Sequence, residues 1–146
     1  MDLVGFLVRL RRWRIARELL MLLNGTEIPA TVRIGPDFRL IHRGMGAVMH
    51  PTTVIGARVQ VFQRVTIGRA DVDQPWGLSR MERIEIGDDA ILCAGAIILG
   101  GPGITRVGNG TIVGANAVLT SSTGDWEVWA GSPARKVGER EDPQAA

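Results

Sequence analysis

The chain reads as one mainly-β domain, a short parallel β-helix of about four coils with an amphipathic α-helix ahead of it. Three observations predict this. An aliphatic residue or methionine returns at six-residue spacing between Ile28 and Leu119, and glycine follows that anchor six times. The first 24 residues instead carry leucine at or near helical spacing. The composition agrees: 146 residues can sustain one core, and 45% hydrophobic with 22% charged residues excludes general disorder and a polytopic membrane protein. Lys136 is the single lysine, so arginine carries nearly all the positive charge, and a net charge of +2 does not demand a nucleic-acid partner. The lone cysteine, Cys93, rules out an intramolecular disulfide and fits a reducing cytoplasm, the expected location.

Residues 1–24 are expected to form one helix, with Leu3, Phe6, Leu7, Leu10, Trp13, Leu20 and Leu23 on its apolar side. Arg9, Arg11, Arg12, Arg14 and Arg17 interrupt the run, which makes it neither a signal peptide nor a spanning helix. The plainer role is a helix docked on the body or on a neighbouring subunit. The sharper one is a basic helix lying on an anionic membrane surface, and the plainer is preferred. Asn24-Gly25 supplies the helix stop.

The β-helix is expected over 25–138. Its anchors fall in sets: Ile28, Ile34 and Leu40; Met49, Ile55, Val61 and Ile67; Ile86, Leu92 and Ile98; Val107, Val113 and Leu119. Four residues after an anchor sit the compact side chains Val32, Val59, Val65, Ala90, Ala96, Thr111 and Ala117. A six-residue unit suits one short strand and a corner, so three units close a triangular coil with the anchors pointing inward. Glycine directly after the anchor (Gly35, Gly56, Gly68, Gly87, Gly108, Gly114) relieves crowding at the corners. The repeat does not reveal the hand of the coil, and ordinary crossover rules favour right-handed connections.

Three interruptions break the rhythm, and such places usually carry function. Leu40 to Met49 spans nine residues, with the surplus near His42–Gly46. Ile67 to Ile86 spans nineteen, ejecting a loop over 69–83. Ile98 to Val107 spans nine, with Gly100-Gly101-Pro102-Gly103 as the surplus. The pattern ends after Leu119, and 139–146 is expected to be a frayed polar tail.

Four segments carry a family resemblance: Thr26-Glu27-Ile28-Pro29 with Arg33-Ile34-Gly35; Leu40-Ile41-His42-Arg43-Gly44-Met45-Gly46; Gln63-Arg64-Val65-Thr66-Ile67-Gly68; and Ala130-Gly131-Ser132-Pro133-Ala134-Arg135. The chain resembles the hexapeptide-repeat acyltransferases, more narrowly the serine acetyltransferase family and its short O-acetyltransferase relatives. That resemblance implies a left-handed parallel β-helix, a homotrimer with active sites between subunits, and acetyl-CoA as donor. His42 and Glu27 match the family's catalytic histidine–acid pair, with glutamate in place of aspartate. The resemblance also assigns donor binding to Gly68, Ala94, Ala115, Pro133, Arg135 and Lys136, and acceptor selection to the loop that holds Trp76 and Arg80.

The residues themselves permit this chemistry. His42 lies in the first interruption, fifteen residues after Glu27, which sets both near one corner of adjacent coils. An imidazole accepts a proton from an alcohol as the alcohol attacks a thioester, and a carboxylate on its other nitrogen fixes the tautomer. His50, inside an ordinary hexad, reads as structural or exposed. Cys93 has no histidine near it in sequence, so a covalent acyl-enzyme has nothing specific in its favour.

Two departures bear on the acceptor. The family has aspartate before its catalytic histidine where this chain has Ile41, and Arg-His in the loop where this chain has Arg80-Met81. A zwitterionic amino acid needs a partner for each charge. The expected activity is therefore acetyl transfer to a hydroxyl of a sugar, a polysaccharide precursor or another small metabolite, with serine O-acetyltransferase as one alternative. Another is a catalytically silent binding or assembly module. A zinc enzyme on the same scaffold, as in the β-helical carbonic anhydrases, needs three histidines. Only His42 and His50 are present, so no metal is expected.

Overall fold

A computed structural model describes residues 3–143. The segment expected as one helix is two, α1 (Leu3–Arg9) and α2 (Arg14–Asn24). Trp13 is extended at the break (φ −84°, ψ 130°), and guanidinium groups bind backbone carbonyls around it. Arg11 donates to Val8 O (3.1 Å) and Val32 O (2.8 Å), and Arg17 donates to Arg11 O (2.9 Å). Bending there lets both halves turn apolar residues onto the body, Val4, Leu7 and Val8 from α1 and Ala16 and Leu20 from α2. Gly25 caps α2 in the left-handed region (φ 63°), as Asn24-Gly25 predicts.

The triangular coils follow in order. The first holds β1 (Arg33–Ile34), β2 (Arg39–Leu40) and β3 (Val48–Met49); the second β4 (Thr53–Ile55), β5 (Gln60–Val61) and β6 (Thr66–Arg69). The third holds β7 (Met81–Ile86), β8 (Ile91–Leu92) and β9 (Ile97–Gly100); the fourth β10 (Gly103–Val107), β11 (Ile112–Val113) and β12 (Val118–Leu119). A hairpin of β13 (Glu127–Gly131) and β14 (Ala134–Glu139) tops the stack. Three parallel sheets make the faces of a prism: β1-β4-β7-β10 (face 1), β2-β5-β8-β11-β13 with β14 antiparallel (face 2), and β3-β6-β9-β12 (face 3).

The register confirms the six-residue reading residue by residue. Ile34, Ile55, Ile86 and Val107 align on face 1, and Leu40, Val61, Leu92 and Val113 on face 2. Met49, Ile67, Ile98 and Leu119 align on face 3. Anchors from the second coil upward are no more than 2% exposed, and so are all seven compact residues of the second series. Each such aliphatic burial stabilises the stack by roughly 1.5–3 kcal/mol. Ile34 and Leu40 are only half-buried, because they line a hollow of about 460 Å³ between α1 and the open end of the prism.

The loop expected over 69–83 is shorter. Met81–Arg83 belong to β7 and pair with the residues of the next interruption, Gly103 opposite Met81 and Ile104 opposite Arg83. Arg69 likewise faces Gly100, so the second and third interruptions lengthen neighbouring strands together and the ejected part is 70–80. The tail is also better held than expected. Glu139 ends β14, and Arg140 donates through its backbone to Trp126 O (2.8 Å) and through its guanidinium to Gly110 O (3.0 Å). The last three positions of the tail, 144–146, lie outside the described residues.

Candidate active site

The edge where face 2 turns into face 3 carries the first interruption. His42 (φ 52°), Arg43 (φ 61°) and Gly44 (φ 58°) take the left-handed region in succession. For histidine and arginine that conformation costs roughly 1–2 kcal/mol each, so the surroundings must hold it. They do so through the end of α2. Asn24 donates from Nδ2 to Arg43 O (2.8 Å), Thr26 from Oγ1 to Gly44 O (3.0 Å), and Gly46 N to Asn24 O (3.0 Å). From above, Arg64 N donates to Met45 O (2.8 Å). The His42 side chain is exposed and stands edge-on to Phe62 at 6.0 Å.

The paired residues Leu40, Val61, Leu92 and Val113 fix what stacks along this edge. Two positions beyond them come His42, Gln63, Ala94 and Ala115, so His42 shares one column with two of the expected donor residues. The buried Oε1 of Gln63 has no hydrogen-bond partner. Higher on the same face stands the β13–β14 hairpin with Pro133, Arg135 and Lys136. Arg135 is exposed, and its guanidinium donates to the neighbouring Ala134 carbonyl. Lys136 is held by Glu139 (2.6 Å) and Glu127 (3.0 Å), and those hydrogen bonds push its pKa up.

Glu27 bridges Val48 at the foot of face 3, its amide donating to Ala47 O (2.8 Å). The structure brings its strand against the His42 loop through Thr26 and Asn24. It forms no hydrogen bond between the two side chains, both of which are exposed. Glu27 lines a hollow of about 480 Å³ with Arg17, Met21, Pro29 and Pro51. Cys93 is half-buried on the column beside Phe62, and burial raises its pKa, which disfavours the thiolate an acyl-enzyme needs.

Gly68, Trp76 and Arg80 fall at the other edge of face 3. Trp76 stacks on the buried imidazole of His50 (4.9 Å, 17° between planes), and the Arg69 guanidinium lies 5.2 Å from the Trp76 ring. Arg80 N donates to Asp71 Oδ2 (3.3 Å), closing the base of the loop. Hydrogen bonding from Ser79 chiefly holds the Asp71 carboxyl below its usual range. Burial first, then the Arg69 charge, lowers the His50 pKa. His50, read from the sequence as structural or exposed, is buried, while its stacking on Trp76 and the anchoring contacts of Asn24 and Thr26 are roles the sequence reading did not assign to those residues. Among the described residues no group of three or more side chains is arranged to hold a metal ion.

No family model matches the chain. It is 36% identical over 124 residues to a serine acetyltransferase of Bacillus pumilus, covering 85% of this chain and 53% of that protein. A serine acetyltransferase of Bacillus licheniformis is 36% identical over 134 residues, covering 90% and 58%. The crystal structure of serine acetyltransferase from Vibrio cholerae superposes with a TM-score of 0.75 at 27% identity, over 95% of this chain and 52% of that one. These serine acetyltransferase homologues and structural neighbours support membership of the chain in that family of hexapeptide-repeat proteins. Its coil is the left-handed parallel β-helix that the family resemblance implies, although crossover rules alone favour right-handed connections. Asp37, Arg58, Arg64, Asp89, Gly95, Gly110 and Asn116, each three positions after an anchor, all turn their corners with positive φ. The chain spans about half the length of the family members it matches. Those members are named for serine, so the comparisons favour the serine alternative and give the expected sugar acceptor no specific support.

Proposed function

We propose that this protein transfers an acetyl group from acetyl-CoA to the hydroxyl of a small molecule, with His42 as general base. The observation that carries the reading is the strained, exposed His42 at the foot of the column that continues through Gln63 to the small Ala94 and Ala115. His42 takes the proton of the acceptor hydroxyl as that oxygen bonds to the thioester carbon. The tetrahedral species collapses by breaking the carbon–sulfur bond, and the departing thiolate takes the proton from the imidazolium. The O-acetyl ester and free coenzyme A are the products. Glu27 is the acid partner in this reading, orienting the imidazole once the acceptor closes the gap between them.

The residues suit the donor. Ala94 and Ala115 leave the edge low for the pantetheine arm, and Gly68 has open space where a Cβ would stand. Exposed Arg135, with no carboxylate on it, suits a phosphate, whereas Lys136 is already committed to two carboxylates. A homotrimer belongs to the proposal. Trp76 and Arg80 leave the chain at the edge of face 3 away from His42, so a neighbouring subunit's loop is what would carry an acceptor-binding arm to it.

L-serine is the acceptor that the names of the matched relatives support first. A second reading, a hydroxyl on a sugar or polysaccharide precursor, rests on Ile41 and Met81, which offer no charge where the family's pattern has an aspartate and a histidine. Thiol release from acetyl-CoA, measured across serine, aminosugars and plain sugars, tests both. Serine preferred by far removes the second reading, a sugar preferred removes the first, and no release with any hydroxyl leaves a silent scaffold.

A further inference from the structure

The helical segment uses only one side of itself to hold the body. On α2, Ala16 and Leu20 are buried, yet Ile15 (73% exposed), Leu19 and Leu22 (81% exposed) form a second apolar stripe at i, i+4 and i+7 that stays exposed among the described residues. Phe6 on α1 and Leu10 just after it do the same beside the buried Val4, Leu7 and Val8. Trp13, 71% exposed at the break, stands between the two stripes in sequence. Arginine flanks them. Arg9, Arg12 and Arg14 are exposed, and the only carboxylate on α1 or α2, Glu18, is 3.9 Å from Arg14. Arg9 and Arg12 form no ion pair among the described residues.

We infer that this outer surface is a docking face for an anionic phospholipid bilayer, on which the two helices lie flat with Trp13, Ile15 and Leu22 in the headgroup region. The chemistry fits one occupant better than the rest. Apolar stripes bordered by arginine, with an aromatic residue at the border, match an interface of acyl chains beneath phosphates. A second copy of the chain fits less well, since contact between two such faces, inside the proposed homotrimer or between trimers, would set arginine-rich surfaces against each other with Glu18 the one carboxylate on either helix to offset them. Val4, Leu7, Ala16 and Leu20 already lock the helices to the prism, so docking requires no coupled folding. No helix among the described residues is long and apolar enough to cross a membrane, which leaves attachment to the surface. This inference is independent of the proposed acetyl transfer.

Flotation of the full chain with vesicles tests it. Vesicles of equal parts phosphatidylcholine and phosphatidylglycerol carry the protein upward, pure phosphatidylcholine leaves it behind, and raised salt releases it. Each of Arg9→Gln, Arg12→Gln and Arg14→Gln weakens binding about fivefold. Leu22→Ser and Ile15→Ser weaken it about tenfold or more without moving the thermal midpoint, because both side chains are solvent-exposed. Trp13→Phe removes the vesicle-induced blue shift of tryptophan emission. Equal flotation with both vesicle types overturns the inference, and so does flotation with neither. It also fails if the protein ignores vesicles while sedimentation equilibrium shows an oligomer that Leu22→Ser takes apart, since the face then belongs to a second copy.

Discussion

Two edges of the same prism differ in what they ask of their residues. Where face 1 turns into face 2, Gly35, Gly56 and Gly87 each sit so close to the coil above that an added Cβ would meet backbone, 2.6 Å from the Gly56 carbonyl in the case of Gly35. Side chains complete the ladder there: Asp88 accepts from Ala57 N, Asn109 from Asp88 N and Asp125 from Asn109 N, at 2.8–2.9 Å. Where face 2 turns into face 3 the backbone is more strained and a buried polar group goes unsatisfied. His42 and Arg43 hold a costly conformation, Gln63 Oε1 lacks a donor, and Ala94 and Ala115 leave room. A solenoid needs only one kind of corner to stand. The corner that departs from it is where binding and chemistry are affordable, because its neighbours carry the stability.

The largest effect that separates the two edges belongs to His42→Ala. It is expected to lower kcat/KM for acetyl transfer 10²–10⁴-fold, about 2.7–5.5 kcal/mol in barrier, with the thermal midpoint held. A variant that keeps the wild-type rate makes the histidine edge a scaffold like the other. Next comes a pair of glycines two hexads apart. Gly56→Ala is expected to cost about 1–3 kcal/mol in urea denaturation, since backbone must move to admit the methyl group. Gly68→Ala meets nothing within 4 Å and should stay within about 0.5 kcal/mol. A rise in KM for acetyl-CoA in Gly68→Ala alone would sharpen the contrast, and equal destabilisation of both would erase it.

The smallest effect is set by pH at the far edge of face 3. Burial and Arg69 lower the His50 pKa in the folded protein, so the unfolded chain binds the proton more readily. The stability His50 contributes is thus complete above the ordinary histidine value of about 6.5 and is lost as pH falls below it toward the folded value. The thermal midpoint is expected to drop between about pH 7.5 and about pH 5.5 in the wild type, and less in His50→Gln. An identical drop in both proteins would assign the dependence to other groups.

The six-residue spacing was legible because burial is periodic: each anchor meets its counterpart one coil away whatever fills the positions between. The same logic made the interruptions legible as departures, His42 among them. The break at Leu10–Trp13 was not, since Leu, Arg and Trp all continue a helix and only the two docking surfaces require a bend. Met81–Arg83 read as loop because their strand partner is itself an insertion, Gly103–Ile104, and two irregularities that pair look like two loops in one dimension.

The sequence by itself determined the solenoid, its corners and the single histidine at its first irregular turn, because short-range periodicity and side-chain volume decide those. Tertiary structure decided how that histidine is held and what stands above it. Asn24 reaches Arg43 across nineteen residues, and Ala94 and Ala115 join His42's column only after two insertions have been paired off. Such contacts join distant parts of the chain, and no local pattern encodes a hydrogen bond whose donor and acceptor meet only when the coils close.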